Sequence, residues 1–369
     1  MPPSGGAHRR VLQSNGSSED CKVKESRKVW LWLATCLFVV GVTLGLSELA
    51  IRIFSPTEYL YPRYQFSREY GMVPFSNVVM VHGVPGKYRY RYTVNAIHSR
   101  GEVIEPGLSK LPTVVVLGDS YSFGIGVSDG EEYPSVMRRA LSGHADVVNL
   151  ASPGWGLTQE IRRYYELGAR YHPNVVVLQF CANDPEDDFS NQVTQVKMDK
   201  FVFADSKNSS NAIERLLSLS PLQGTQVYNF FRTRASLIAT WYFAKKTMAE
   251  MQKMQPAGPA DDGTVSAGEA MHISLLSTFA RHLHDQGISL WMIAADNQLR
   301  QFPHIERAVH DLNASGDLHY FEVVDWLGPI GPHSSPEGHL WDTTAHRVIG
   351  EHLAAEVSAL SDSAAMGPQ

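Results

Sequence analysis

The sequence predicts an α/β domain, a parallel sheet covered by helices on both faces, standing behind one apolar N-terminal helix. Three observations predict it. Short apolar, β-branched runs recur at Thr113–Leu117, Val147–Leu150, Asn174–Phe180, Ile288–Ala294 and His319–Val324. Helical stretches separate or follow them, at Tyr133–Leu141, Thr158–Tyr171, Ala270–Gln286, Pro303–Leu312 and Thr343–Leu360. From Val29 to Ser47 no residue is charged. Runs without polar alternation are strands buried on both faces, and such strands alternating with helices make a sheet with a helical layer on each side.

The N-terminal elements come first. Residues 1–28 are rich in Gly, Ser and charge and read as a disordered tail. Residues 29–54 read as a transmembrane signal-anchor helix, because roughly 20 apolar residues cross the hydrocarbon core of a bilayer. A buried core helix and a cleaved signal peptide are the alternatives. The run flows into Glu48-Leu-Ala-Ile-Arg-Ile-Phe54 without a small-x-small cleavage site. Arg9, Arg10, Lys22, Lys24, Arg27 and Lys28 precede the span, and basic flanks stay in the cytoplasm. The tail is therefore expected inside, and everything beyond about residue 50 outside, in the periplasm or the extracellular space. Of Cys21, Cys36 and Cys181 only the last falls in the exported part, so no disulfide is expected within it. The net charge of −6 carries no polybasic signature and excludes nucleic acid as an expected partner.

Residues 55–110, with scattered aromatics, Pro and Gly, read as an irregular lead-in; within it Tyr88–Val94 alternates as a strand does. The main domain is expected over 111–361, interrupted by an insertion at 185–269. That insertion opens acidic (Pro185-Glu-Asp-Asp188), passes a candidate helix at Ala212–Leu219 and an aromatic stretch at Val227–Phe243, and ends loosely over Met251–Gly268. A connection this long is either a lid facing substrate or a packed helical decoration.

The chemistry gathers where strands end. The first strand runs into Gly118-Asp-Ser-Tyr-Ser-Phe-Gly-Ile-Gly126. A phosphate cradle would need GxxxxGK[ST], and no lysine is near. Glycines after a strand also let backbone amides point at an acyl group beside a presented nucleophile. The segment VVVLGDSYSFGIGVSDGEEYPSVM resembles the first block of SGNH (GDSL) hydrolases. The second block is matched by Val148-Asn-Leu-Ala-Ser-Pro-Gly-Trp-Gly156, the third by Cys181-Ala-Asn-Asp184, and the last by Gly338-His-Leu-Trp with the helix behind it. The third departs from the family in having Cys181 where a Gly is usual. Membrane-anchored members with such a lead-in occur in bacteria.

The resemblance implies a three-layer, flavodoxin-like fold with five parallel strands ordered 2-1-3-4-5. It makes Ser120 the nucleophile, and the Ser120 amide, the Gly154 amide and the Asn183 side chain the oxyanion-hole donors. Asp119 reads as structural, holding the turn through backbone amides. The plainer readings are a loop serine, a turn glycine after Pro153 and an Asn holding a strand-end turn. The histidine comes from His333-Ser-Ser-Pro-Glu-Gly-His-Leu-Trp-Asp-Thr-Thr-Ala-His346. His339 is preferred as base over His333, which no acid precedes, and His346 reads as a helix-start residue bonded to backbone; His282 and His284 read as surface residues. Glu337 takes the position of the family's Asp and is the acid expected to orient His339; Asp342, Asp325 or a Ser-His dyad helped by a backbone carbonyl are alternatives.

The expected activity is hydrolysis of a carboxylic, for example O-acetyl, ester through an acyl-enzyme. The substrate would be an acylated small molecule, glycan or lipid. An O-acyltransferase using the same intermediate, or a non-catalytic glycan-binding protein on this fold, are the competing readings. No metal-ligand set is evident and no cofactor is expected.

Overall fold

The computed structural model describes residues 16–55, 63–84, 88–206, 224–235, 265–328, 333–335 and 341–365. In chain order its elements are the helix α1 (Gly16–Phe54), the strands β1 (Tyr64–Ser67), β2 (Gly71–Pro74), β3 (Val78–Val84), β4 (Tyr88–Val94) and β5 (Thr113–Leu117), the short helix α2 (Ser120–Phe123), α3 (Tyr133–Ala140), β6 (Asp146–Asn149), α4 (Leu157–Glu166), β7 (Val175–Phe180), α5 (Asp184–Asn191), β8 (Thr194–Lys197) and β9 (Lys200–Phe203). Residues 226–235 are helical, here α6. Then follow α7 (Ala267–Asp285), β10 (Ser289–Ala294), α8 (Pro303–Ser315), β11 (His319–Phe321), α9 (Val323–Leu327) and α10 (Thr343–Ala365).

The chain divides into two compact units. One comprises residues 1–57 with 225–231; the other comprises 58–224 with 232–369. The first is built on α1. Within its segment Arg27–Phe54 an 18-residue stretch has a mean hydropathy of 2.2, and none of that stretch is buried. The helix starts at Gly16, so residues 16–28, expected to be disordered, are helical. Each residue added to a helix already nucleated by its apolar part gains a hydrogen bond at little cost.

The second unit holds the five-stranded sheet, ordered β6-β5-β7-β10-β11 with every pair parallel. In the order in which the expected strands follow one another this is 2-1-3-4-5, as the family resemblance implied. Registers such as Val114 with Val175 and Val175 with Ser289 set alternate residues on opposite faces. Val114, Val116, Val177 and Ile293 meet Tyr133 and Met137 of α3 and Ile349 and Leu353 of α10. Val115, Leu117, Val176 and Met292 meet Ile161 of α4, Phe279 of α7 and Val309 of α8. Burial on both faces is why these runs show no polar alternation.

Three expectations need correction. The helix expected over Thr158–Tyr171 ends at Glu166 and gives way to a 3-10 turn at Gly168–Tyr171. A Cβ on Gly168 would stand 3.0 Å from the Tyr164 ring, a tight approach that a glycine eases. The last strand stops at Phe321, and Val323–Leu327 is a short helix. The lead-in is not irregular: β1 pairs with β2 and β3 with β4, both antiparallel. Its Phe75, Met80, Tyr90 and Tyr92 join the core beneath α3 and α10. Arg100, wholly buried, bonds Glu132 at 3.0 Å and the Val127 carbonyl at 3.1 Å. Of the insertion, the candidate helix at 212–219 lies outside the described residues.

Candidate active site

The site begins at the carboxyl end of β5. Gly118 has φ +151°, and a Cβ there would come within 2.4 Å of the Ser122 Oγ and 2.8 Å of the Gln179 Oε1, so no other residue fits. Asp119 is buried and caps α2, its Oδ1 accepting from the Tyr121 N–H at 3.0 Å. That is the structural role expected for it. Burial raises its carboxyl to about 6, against the opposing Tyr121 N–H. Ser120 opens α2 and is half-buried, its Oγ 3.5 Å from the Asp119 Oδ2. Gly124, with φ +86°, closes α2 by donating to the Ser120 carbonyl at 3.0 Å. The serine thus sits on a turn locked at both ends.

The neighbouring strands supply the next two loops. After β6, Asn149 donates to the Ser122 carbonyl at 2.9 Å, and the Ser152 N–H donates to the Gly118 carbonyl at 3.1 Å. These bonds tie the second loop to the serine turn. Gly154 in that loop is exposed with φ +75°, and a Cβ there would meet open space. After β7, the Cys181 N–H donates to the Asp184 Oδ2 at 2.9 Å. Asn183 is exposed at the N-cap of α5, and its Nδ2 donates to the Asp187 Oδ2 at 2.5 Å. A side-chain amide has two N–H groups, so this bond orients Asn183 and leaves the second proton for a ligand. Burial raises the Asp187 carboxyl above its ordinary value, against the opposing bond from Asn183.

Gln298, which the sequence reading did not single out, ties three parts together. From the turn after β10 its Oε1 accepts from the Ala182 N–H at 2.7 Å and from the Cys181 thiol at 3.2 Å. Its Nε2 donates to the Tyr121 hydroxyl at 3.1 Å. The signal available in the sequence was its place, a polar side chain just beyond the carboxyl end of the fourth strand. Behind these loops lies a buried acidic layer. Asp188 accepts from the Thr158 N–H at 2.8 Å and faces the His272 Nδ1 at 2.8 Å. Both carboxylate oxygens of Glu160 are buried without a hydrogen-bond partner among the described residues. Burial, with Asp119 and Asp188 nearby, raises Glu160 well above its ordinary value; burial and Glu160 do the same to Asp184.

The last block is described in part, and Glu337 and His339 lie outside the described residues. Ser334 and Trp341 form a β-bridge, with residues 336–340 between them in sequence. Trp341 is buried. His333 bonds the Leu327 carbonyl through Nε2 at 2.9 Å. His346 is fully buried, and its Nδ1 accepts from the Tyr133 N–H at 3.2 Å. Burial, then Arg100, lowers it to about 3, so it is neutral and already engaged with backbone. The Asp342 Oδ1 caps α10 by accepting from the Ala345 N–H at 2.8 Å. Asp325 is exposed in α9. Ser120, Gly154 and Asn183 thus follow the carboxyl ends of three adjacent strands, where ligands of open α/β sheets bind.

The model of the GDSL-like Lipase/Acylhydrolase family matches residues 116–320, more than half of the chain. Among curated proteins nothing matches. Similar solved structures include the psychrotrophic esterase EstA from Pseudoalteromonas sp., at 13% identity over 68% of this chain and 98% of that one, with a TM-score of 0.38. The lipase/acylhydrolase from Enterococcus faecalis is 11% identical over 68% and 96%, with a TM-score of 0.36. The acetyl xylan esterase Est2A from Butyrivibrio proteoclasticus is 12% identical over 68% and 64%, with a TM-score of 0.35.

Proposed function

Since the chain belongs to the GDSL-like lipase/acylhydrolase family, whose members cleave esters, we propose that it hydrolyses an acyl ester through an acyl-enzyme on Ser120. The observation that carries this reading is the gathering of Ser120, Gly154 and Asn183 at the ends of adjacent strands β5, β6 and β7. In this reading His339 takes the Ser120 proton, and Glu337 orients the imidazole. Trp341 supports the assignment of His339. It is packed beside Tyr121, the residue after the serine, with ring centroids 4.9 Å apart. His339 is two residues away, and two residues span at most about 7 Å of chain. His346 and His333 have other engagements, with the Tyr133 amide and the Leu327 carbonyl.

The step would proceed as in other serine hydrolases. The Ser120 oxygen bonds to the ester carbon while its proton passes to His339. The oxyanion is held by the Ser120 and Gly154 amides and the second N–H of Asn183. The imidazolium then protonates the departing alkoxide, and water resolves the acyl-enzyme by the same route. One oxyanion donor is worth about 3–4 kcal/mol in such sites.

The apolar span of α1 supports a membrane-anchored enzyme, and the basic flank supports a cytoplasmic N-terminus with the hydrolase unit outside. Protease added to intact spheroplasts should then digest the hydrolase unit; protection of that unit would reverse the topology. For the chemistry, Ser120→Ala should abolish p-nitrophenyl acetate turnover while far-UV circular dichroism stays unchanged. Equal activity in the two proteins would remove Ser120 from the mechanism.

A further inference from the structure

The insertion raises the question of what its middle is for. Residues 225–231 belong to the same compact unit as α1. Their attachment is specific. Glu48, near the end of the apolar span, accepts from the Gln226 N–H through Oε1 and from the Val227 N–H through Oε2, both at 2.9 Å. Arg52, one turn further along α1, donates to Glu48 at 2.7 Å. Thr225 adds its own cap, its Oγ1 accepting from the Tyr228 N–H at 3.3 Å. The first turn of α6 is therefore capped by a carboxylate that belongs to the anchor helix, and an anion is stabilised at that end of a helix.

The height of this contact follows from the sequence of α1. Val29–Ser47 carries no charge, and Glu48 is the first charged residue after it. At 1.5 Å per residue that run is about as long as the hydrocarbon core is thick. Glu48 then stands at the boundary between acyl chains and headgroups, and so do the amides bonded to it. A carboxylate at that level is costly unless satisfied; two backbone N–H groups and a guanidinium satisfy it. The segment it holds contains Tyr228, Phe230 and Phe231, with the Phe230 and Phe231 rings edge-on at 5.5 Å and Phe231 64% exposed. The sequence continues through Arg232 and Arg234. Aromatic rings mixed with arginines are the composition of the interfacial layer of a bilayer.

We propose that residues 225–231 form a membrane-interface element, docked on the anchor through Glu48, whose partner is the headgroup region of a phospholipid bilayer. The proposal rests on the reading of α1 as a membrane span. It makes the middle of the insertion neither a free lid nor a decoration of the sheet: it is a second hold on the membrane, far in sequence from the first. Phe231 is the side chain that enters the lipid.

Photo-crosslinking tests this with the full-length chain in phosphatidylcholine–phosphatidylglycerol vesicles. Benzoylphenylalanine is placed at Phe231 in one protein and at Leu37, mid-span and 73% exposed, in another. Both proteins should form lipid adducts, and Glu48→Leu should lower the adduct yield at 231 several-fold while leaving the yield at 37 unchanged. Adducts at 37 with none at 231 would overturn the proposal and leave the anchor standing. Adducts at neither position would bring down the membrane reading and the proposal with it. A yield at 231 indifferent to Glu48→Leu would overturn the clamp.

Discussion

The Trp341 indole stands edge-on to the Tyr121 ring, centroids 4.9 Å apart and planes at 73°, and its Nε1 donates to Asp296 at 2.8 Å. One buried side chain thus joins the last sequence block to the turn that carries Ser120 and to the end of β10. Trp341→Ala should cost about 3–5 kcal/mol, as large-to-small changes in a packed core do, and should lower turnover as well. Trp341→Phe keeps a ring and should cost less, chiefly the loss of one hydrogen bond, about 1–2 kcal/mol. Urea titrations beside ester assays check both; an active, fully stable Trp341→Ala would contradict this role.

Gly118→Ala should be more damaging than its single methyl suggests. The methyl would collide with the Ser122 Oγ and the Gln179 Oε1 at a backbone conformation that side chains rarely adopt. Loss of activity together with a Tm lower by several degrees is expected, read by differential scanning fluorimetry and p-nitrophenyl ester turnover.

Two buried groups give opposing pH effects. Asp119 is raised to about 6, so the folded state holds that proton more tightly than the unfolded chain does; its contribution is present on the acid side and is lost as pH rises from about 4 to 6. His346 is lowered to about 3, so the unfolded chain takes up its proton first and stability is lost as pH falls below about 6.5. Between pH 4 and 6 these two slopes oppose each other, and Glu160 and Asp184, also raised by burial, add to the one from Asp119. Asp119→Asn keeps a capping side chain and removes one slope. Its stability should fall on acidification by up to about 1.4 kcal/mol per pH unit relative to wild type. Parallel curves from denaturant titrations would show that Asp119 does not titrate in this range.

Asn183→Ala should reduce kcat/KM by about 10²–10³ with little change in Tm, because Asn183 is exposed and its side chain bonds only Asp187 among the hydrogen bonds described. An equal loss of stability would make it a turn residue instead.

Much of this architecture is legible in the residues. The five runs around Val115, Val148, Val177, Met292 and Tyr320 announce strands because each is buried on both faces or lies at the sheet's edge, and their order follows from the family. Ser120, Gly154 and Asn183 are legible because glycines and polar residues punctuate the strand ends. The bonds of Gln298 and of the Asp188–His272 pair are not, since a bond between residues more than eighty positions apart leaves no local pattern. The hairpins of 64–94 escape notice for a related reason. β1 and β2 have four residues each, and only the β4 segment Tyr88–Val94 alternates clearly. Glu48 reads locally as the partner of Arg52; its bonds to 226 and 227 depend on the fold.

The central claim is that Ser120 is the nucleophile, and covalent capture tests it most directly. The full-length protein, treated with a fluorophosphonate and digested, should carry one phosphonyl group, on the peptide containing Ser120. Ser120→Ala should carry none. Modification at another serine with Ser120 untouched, or equal labelling of the Ser120→Ala protein, would contradict the account.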